Sequence, residues 1–383
     1  MKRAIPLSLL LLVAHAAFGQ RYKINVTESP EGTQLNKVLG EADDAKRRVL
    51  LEEFLAKFSA NENTPWVTSQ LLQIVVKTNE PDKVIELGTK LLAADPTDTD
   101  AALNCLKAAE AKKDAALIQK WAAKASELAR KMAAAPEPKD AEEAETWKKQ
   151  VDYAKQVDIY TEYALFNGGN IVTDNAQKIA LFEALEKQNA KSQYVGMSQP
   201  YLFSAYDRAG DKPKALAIAD KLLAADPKND DMLLYLATYN FENMREKDKA
   251  LNYSTRLMEA APTRQAPQGI AADEWKRRAD SKLALGGWMA GVLYATNNKW
   301  AETDKYLRIA LPVLPDNKEL QAEVLFYLGL ANYNLAQNAP NRQQRLADAL
   351  KYSQQCAAIP GKYQAQARKN VTAIQGAPAQ KKR

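Results

Sequence analysis

The chain has 383 residues, of which 26% are charged, and its formal net charge is +6 with one histidine and two cysteines. Its mean hydropathy is −0.45. No Gly- or Ser-rich linker divides it, which favours one elongated array of similar elements over several separate domains. Charges of both signs interleave along the predicted helices without a basic stripe of base-stacking aromatics, so nucleic acid is not a predicted partner.

Residues 1–19 have the pattern of a cleaved secretory signal peptide. Lys2 and Arg3 precede an apolar run at residues 9–13, and residues 17–19 (AFG) form a cleavage site of small residues. The apolar run is too short for a stable anchor, and no cysteine follows the site to carry a lipid. We therefore predict a periplasmic or secreted protein without stable membrane insertion.

The mature chain would lack imidazole, because the only histidine, His15, lies in this signal. Catalytic and metal sites that need a histidine are thereby excluded. The densest acidic group, at residues 142–145, falls at a predicted helix start, where carboxylates stabilise the helix dipole. We predict that Cys105 and Cys356 are unpaired, buried hydrophobes. The sequence thus predicts no enzyme, no cofactor and no metal site.

Almost the same ten residues occur twice in the chain. Residues 91–100 read LLAADPTDTD and residues 222–231 read LLAADPKNDD. In each copy the Asp-Pro pair stops a helix, and the following polar residues supply caps for the next one. Such recurrence predicts a repeat protein whose units are buried by stacking on their neighbours.

Further positions around the second copy define the repeat. Leu202, Phe203 and Tyr206 lie on one predicted helix, Gly210 and Asp211 at a turn, and Ala215 and Ala219 on the helix before Pro227. This spacing resembles the tetratricopeptide repeat (TPR), whose pattern is W-x2-L-G-x2-Y, then A-x3-F, then P in about 34 residues. Similar sets precede Pro262, Pro315 and Pro360.

Small residues recur at one position of these sets, namely Ala237, Gly291 and Gly329. They fall where the two helices of a unit must approach closely, and a bulky side chain there would force the helices apart.

The resemblance implies an all-α, TPR-type α-solenoid, a right-handed superhelix of about eight helix pairs. We expect a flexible mature N-terminus at residues 20–32 and divergent TPR-like repeats at 33–196. Clearer repeats follow at 197–360, with a capping helix and basic tail at 361–383.

The resemblance also implies that the first helix of each pair lines a concave groove that binds a peptide or protein. The predicted apolar anchors of the partner are Phe241, Trp288, Phe326 and Tyr333. Asp207, Arg208 and Asn334 are predicted to fix its direction. Exposed aromatics clustered in a concavity are typical of binding surfaces.

Aromatic residues also decorate one long predicted helix, where Tyr153, Tyr160 and Tyr163 lie along one stripe. We predict that they pack between neighbouring units. If Trp288 served only packing, the functional surface would lie around Tyr160 or on the two inserted segments at residues 261–272 and 337–344.

These observations predict an extracytoplasmic, non-enzymatic TPR scaffold that acts in envelope assembly or secretion. One alternative is a SusD-like carbohydrate-binding protein, although the chain lacks the lipid-bearing cysteine of that family. A cell-wall lytic enzyme is a further alternative, for which no separate catalytic domain is visible. The oligomeric state does not follow from the sequence.

Overall fold

The structure, a computed structural model, describes residues 21–244 and 246–376. The predicted signal peptide at 1–19 and the Lys/Arg end of the predicted tail lie outside the described residues. Within the described ranges the regular elements are seventeen α-helices and two short 3-10 turns, without a strand. The helices are α1 Pro30–Gly40, α2 Asp44–Lys57, α3 Thr64–Lys77, α4 Pro81–Ala94, α5 Thr99–Lys112, α6 Ala115–Ala133, α7 Ala141–Ile171, α8 Asn175–Gln188, α9 Gln193–Ala209, α10 Lys212–Ala225, α11 Asp230–Asn243, α12 Lys247–Ala260, α13 Ala272–Thr296, α14 Trp300–Ala310, α15 Lys318–Leu335, α16 Arg342–Ala357 and α17 Gln364–Gln375.

The chain divides into two compact units, and within each unit consecutive helices pack against each other. The first unit, Met1–Ala215, contains α1 to α9 and the first turn of α10. The second, Leu216–Arg383, contains the rest of α10 and α11 to α17. The order and packing of the described helices confirm the predicted TPR-type α-solenoid class, and α17 lies in the predicted capping segment.

The duplicated turn forms as its residues predict. α4 ends at Ala94 and α10 at Ala225, each directly before an Asp-Pro pair. Asp98 then caps α5, since its Oδ1 accepts the backbone N–H of Ala101 at 2.9 Å. Asn229 caps α11 through Met232 in the same way. Local backbone chemistry thus sets the helix boundaries in both copies.

The two glycines of this set lie at close helix crossings, as predicted. Ala237 is fully buried. A Cβ atom on Gly329 would lie 2.7 Å from Ser353 Oγ, and one on Gly291 would overlap the side chain of Leu307. A side chain at either glycine would therefore displace its neighbour, Leu307 or Ser353, from its present position.

Residues 21–29 have no regular secondary structure, and α1 begins at Pro30, three residues before the predicted start of the repeats. Tyr22 and Ile24 pack against the core formed by α1 to α5. None of the described helices is long and apolar enough to cross a membrane.

Candidate functional site

Three of the predicted anchors come together on the first helices of successive pairs in the second unit. Phe241 on α11 and Trp288 on α13 form an edge-to-face contact, with ring centroids 4.9 Å apart. The indole N–H of Trp288 donates to Glu323 Oε2 on α15 at 2.9 Å. Phe326 lies one turn further along α15. Adjacent first helices are therefore joined by aromatic side chains.

Glu323 also accepts a hydrogen bond from the hydroxyl of Tyr363, the residue directly before α17. The Tyr363 ring lies 4.9 Å from the ring of Phe326. Burial and the hydrogen bond to Glu323 raise the pKa of Tyr363 above its ordinary value, so the phenol remains a donor. Tyr327, the next residue on α15, forms edge-to-face contacts with the rings of Phe326 and Tyr363. We call Phe241, Trp288, Phe326, Tyr327 and Tyr363 the aromatic row.

The sequence pattern did not identify Glu323 and Tyr363 as part of the site. The one signal for Tyr363 was an aromatic residue in the predicted capping segment, where a polar surface is expected. A charged residue in the middle of a helix carries no signal of this kind.

Side chains of the aromatic row are anchored on one side and accessible on the other. Trp288, Phe326 and Tyr363 pack against a buried core that includes Leu307 and Leu328. Trp288, Phe241 and Phe326 nevertheless remain partly exposed. Trp288 thus contributes both to interhelix packing and to the accessible surface.

Tyr333 and Asn334 are further along α15. Tyr333 follows Phe326 by seven residues, which is about two helical turns, and is partly buried. The Asn334 side-chain amide donates to the Leu330 carbonyl at 2.8 Å. In the described part of the chain, no ring contact or hydrogen bond joins these two residues to the aromatic row.

Asp207 and Arg208 belong to the first unit. Both lie in the last turn of α9. The Asp207 carboxylate pairs with Lys212 Nζ at 2.6 Å, and Arg208 is exposed.

The tyrosines of α7 pack between helices, which confirms that prediction. Tyr153 belongs to a buried cluster, and its hydroxyl donates to Asp100 on α5. Tyr160 donates to Glu110 on α5 at 2.6 Å. Burial raises the pKa of the Glu110 carboxyl group. Burial and the interaction with Glu110 also raise the pKa of Tyr160, so its phenol stays protonated.

A cavity of about 630 Å³ belongs to the first unit. Its walls come from α3, α5, α6 and α7 and from residues 21 and 22. The lining is mixed, with apolar Leu72, Leu128 and Met132 beside several side-chain amides.

Comparisons with known proteins give structural matches only. No family model matches the chain, and no curated protein sequence matches it. The Cut9-Hcn1 hetero-tetramer of APC/C shows 12% identity and a TM-score of 0.32, over 92% of this chain and 57% of that chain. The TPR domain of P58(IPK) shows 13% identity and a TM-score of 0.25, over 91% of this chain and 98% of that one. Yeast Tom70 shows 12% identity and a TM-score of 0.21, over 90% of this chain and 95% of that chain.

The chain thus spans a little over half the length of the Cut9-Hcn1 chain. With TM-scores this low, the fold assignment rests on the helix pairing and the close crossings described above.

Proposed function

We propose that this protein is an extracytoplasmic, non-enzymatic TPR scaffold that binds a peptide or protein segment on the first-helix face of its second unit. The observation that carries the proposal is the aromatic row. Aromatic side chains from three successive first helices lie close together and keep part of their surface accessible, and Glu323 fixes two members of the row, Trp288 and Tyr363.

The chemistry of the row suits an apolar anchor of a partner. Two donors, from Trp288 and Tyr363, occupy the two oxygens of Glu323, so the carboxylate is already satisfied. Rings fixed in this way lose little conformational entropy when they bind, and aromatic residues dominate the energetics of protein interfaces. Tyr333 and Asn334, on the same helix, would contact a segment that extends beyond the row. We include Asp207 and Arg208 as proposed contacts of the first unit.

The test is selection of a displayed peptide library on the unaltered chain, followed by titration of the selected peptides against variants. Trp288→Ala should weaken binding by about 2 kcal/mol, or roughly 30-fold, as expected for an interface hot spot. Because Trp288 also packs against the core, the fraction of folded protein is measured by circular dichroism in the same samples. Phe241→Ala should weaken binding in the same direction.

Trp275→Ala is the matched control, because Trp275 lies in the same unit outside the row and donates to the Arg264 carbonyl at 2.9 Å. It should leave binding unchanged. If peptide binding falls only in proportion to the fraction of folded protein, the row serves packing. If the protein binds to a glycan array and to no peptide, the proposed class of partner is wrong.

A further inference from the structure

The first described residues, which belong to no helix or strand, lie across the turns before α3 and α5. Arg21 donates to Asp95 Oδ2 at 2.7 Å and to Thr97 Oγ1 at 2.6 Å. The Tyr22 hydroxyl donates to Asp98 Oδ2 at 2.6 Å. We call residues 21–25 the strap.

Asn63 holds the backbone of the strap in both directions. Its Oδ1 accepts the Asn25 N–H at 2.6 Å, and its Nδ2 donates to the Asn25 carbonyl at 2.9 Å. A side-chain amide that pairs with both groups of one residue imitates the pairing of a neighbouring β-strand. Recognition of this kind does not depend on which side chain the paired residue carries.

Side chains of the strap alternate as in a docked peptide. Tyr22 and Ile24 pack on the core, whereas Lys23 is exposed. Alternate residues of an extended segment point to opposite sides, so one set enters the surface and the other faces water.

The turns beneath the strap are stabilised by hydrogen bonds of their own. Asp95 Oδ1 accepts the Thr97 N–H at 2.9 Å, which leaves Oδ2 for Arg21. Asp98 Oδ1 caps α5, which leaves Oδ2 for Tyr22. Each carboxylate stabilises its turn with one oxygen and binds the strap with the other, so the turns do not need the strap.

Arg21 and Tyr22 also form one wall of the 630 Å³ cavity. Gln73, Asn104 and Gln150 line the other walls, and their side-chain amides have no hydrogen-bonding partner among the described residues. Release of the strap would open this cavity and add free amide donors and acceptors beside the vacated surface.

We propose that Asn63, Asp95, Thr97 and Asp98 form a peptide-binding track for an extended segment with a cation followed by a tyrosine, and that the strap occupies this track until such a segment of another protein displaces it. The track lies in the first unit and its assignment is independent of the aromatic row.

The experiment uses the full chain and a fluorescently labelled synthetic peptide with the sequence of residues 21–27 (RYKINVT). In the unaltered chain the tethered strap competes at an effective concentration on the order of millimolar. The double variant Arg21→Ala/Tyr22→Ala should therefore bind the peptide at least about 10-fold more tightly, as measured by fluorescence anisotropy. Lys23→Ala is the matched control, because its side chain faces solvent, and it should behave as the unaltered chain does.

A second variant tests the track itself. Asn63→Asp, added to the double variant, keeps an acceptor for the peptide N–H but replaces the donor with an oxygen that repels the peptide carbonyl. It should abolish peptide binding while circular dichroism stays helical. Trypsin cleavage after Lys23 reports on the strap without any peptide, and it should be faster in the double variant than in the unaltered chain.

Three results would overturn the proposal. The first is that the unaltered chain and the double variant bind the peptide equally well. The second is that the double variant does not bind the peptide although trypsin now cleaves it after Lys23, and the third is that Lys23 stays as well protected in the double variant as in the unaltered chain. Concentration-dependent dimers of the unaltered chain that dissociate when the peptide is added would overturn the choice of another protein as the source of the segment.

Discussion

Gly291 illustrates how single residues set the spacing of the helices. It lies where α13 crosses α14, against Leu307, which is fully buried. Leu307 belongs to the core on which the aromatic row rests. The absence of a side chain at one residue thus allows the close approach that positions several larger ones.

We expect Gly291→Leu to lower the free energy of unfolding by about 1 to 3 kcal/mol or more, because the added side chain overpacks this crossing. Urea denaturation followed by circular dichroism measures the change. Gly196→Ala is the control, since a Cβ atom there meets open space within α9. It should raise stability by roughly 0.5 to 1 kcal/mol through helix propensity. Equal effects of the two substitutions would contradict the close-crossing assignment.

The two cysteines are buried and unpaired, as predicted. Burial raises the pKa of Cys105 to about 12 and that of Cys356 to about 11. Because the thiolate is the reactive form, we expect neither thiol to react with Ellman's reagent at pH 8 in the folded protein. Both should react after denaturation in guanidinium chloride. Rapid reaction of one thiol under native conditions would show that its helix opens readily.

At the scale of elements, a polar network joins α14, α15 and α16. Asp304 on α14 is buried, and its Oδ1 accepts from Arg308 at 2.7 Å and from Asn332 at 2.6 Å. Its Oδ2 accepts from Arg345 on α16 at 2.7 Å. Arg308 continues the network to Asp348. One carboxylate thereby satisfies donors from all three helices.

We expect Asp304→Ala to destabilise the second unit by about 1 to 3 kcal/mol, because it removes the acceptor for Arg308, Asn332 and Arg345. Hydrogen exchange of α14 to α16 localises the loss. Asp280→Ala is the comparison, since its pair with Lys276 lies at the surface with side-chain exposures of 30% and 72%. This change should cost at most about 1 kcal/mol. Protection of α14 to α16 that is unaffected by Asp304→Ala would show that packing alone holds them.

At the scale of the whole molecule, removal of the predicted signal peptide would change which side chains the mature chain contains. The signal predicted at residues 1–19 contains the only histidine. Its removal would leave the mature chain without an imidazole side chain.

We therefore expect export with cleavage after Gly19, because the basic start, the apolar run and the small-residue site together match the pattern that signal peptidase recognises. Intact-mass spectrometry of protein purified from a secreting bacterial host should give a product that begins at Gln20. A product that retains His15 would contradict both the proposed location and the absence of histidine from the working protein.

The amino-acid sequence by itself determined the helix pairs, their boundaries and their small-residue crossings. These features depend on local chemistry, such as the Asp95-Pro96 stop and the Asp98 cap, or on one residue type at a repeated position, such as Gly291. The proximity of Phe241, Trp288 and Phe326 was predictable because they occupy corresponding faces of successive first helices. Only the tertiary structure decided that Glu323 links Trp288 and Tyr363, which are 35 and 40 residues away from it, and that the strap reaches Asp98 from 76 residues away. Periodicity specifies which face of a helix is buried, whereas the partner that a polar side chain finds across that face depends on the packing of helices distant in the chain.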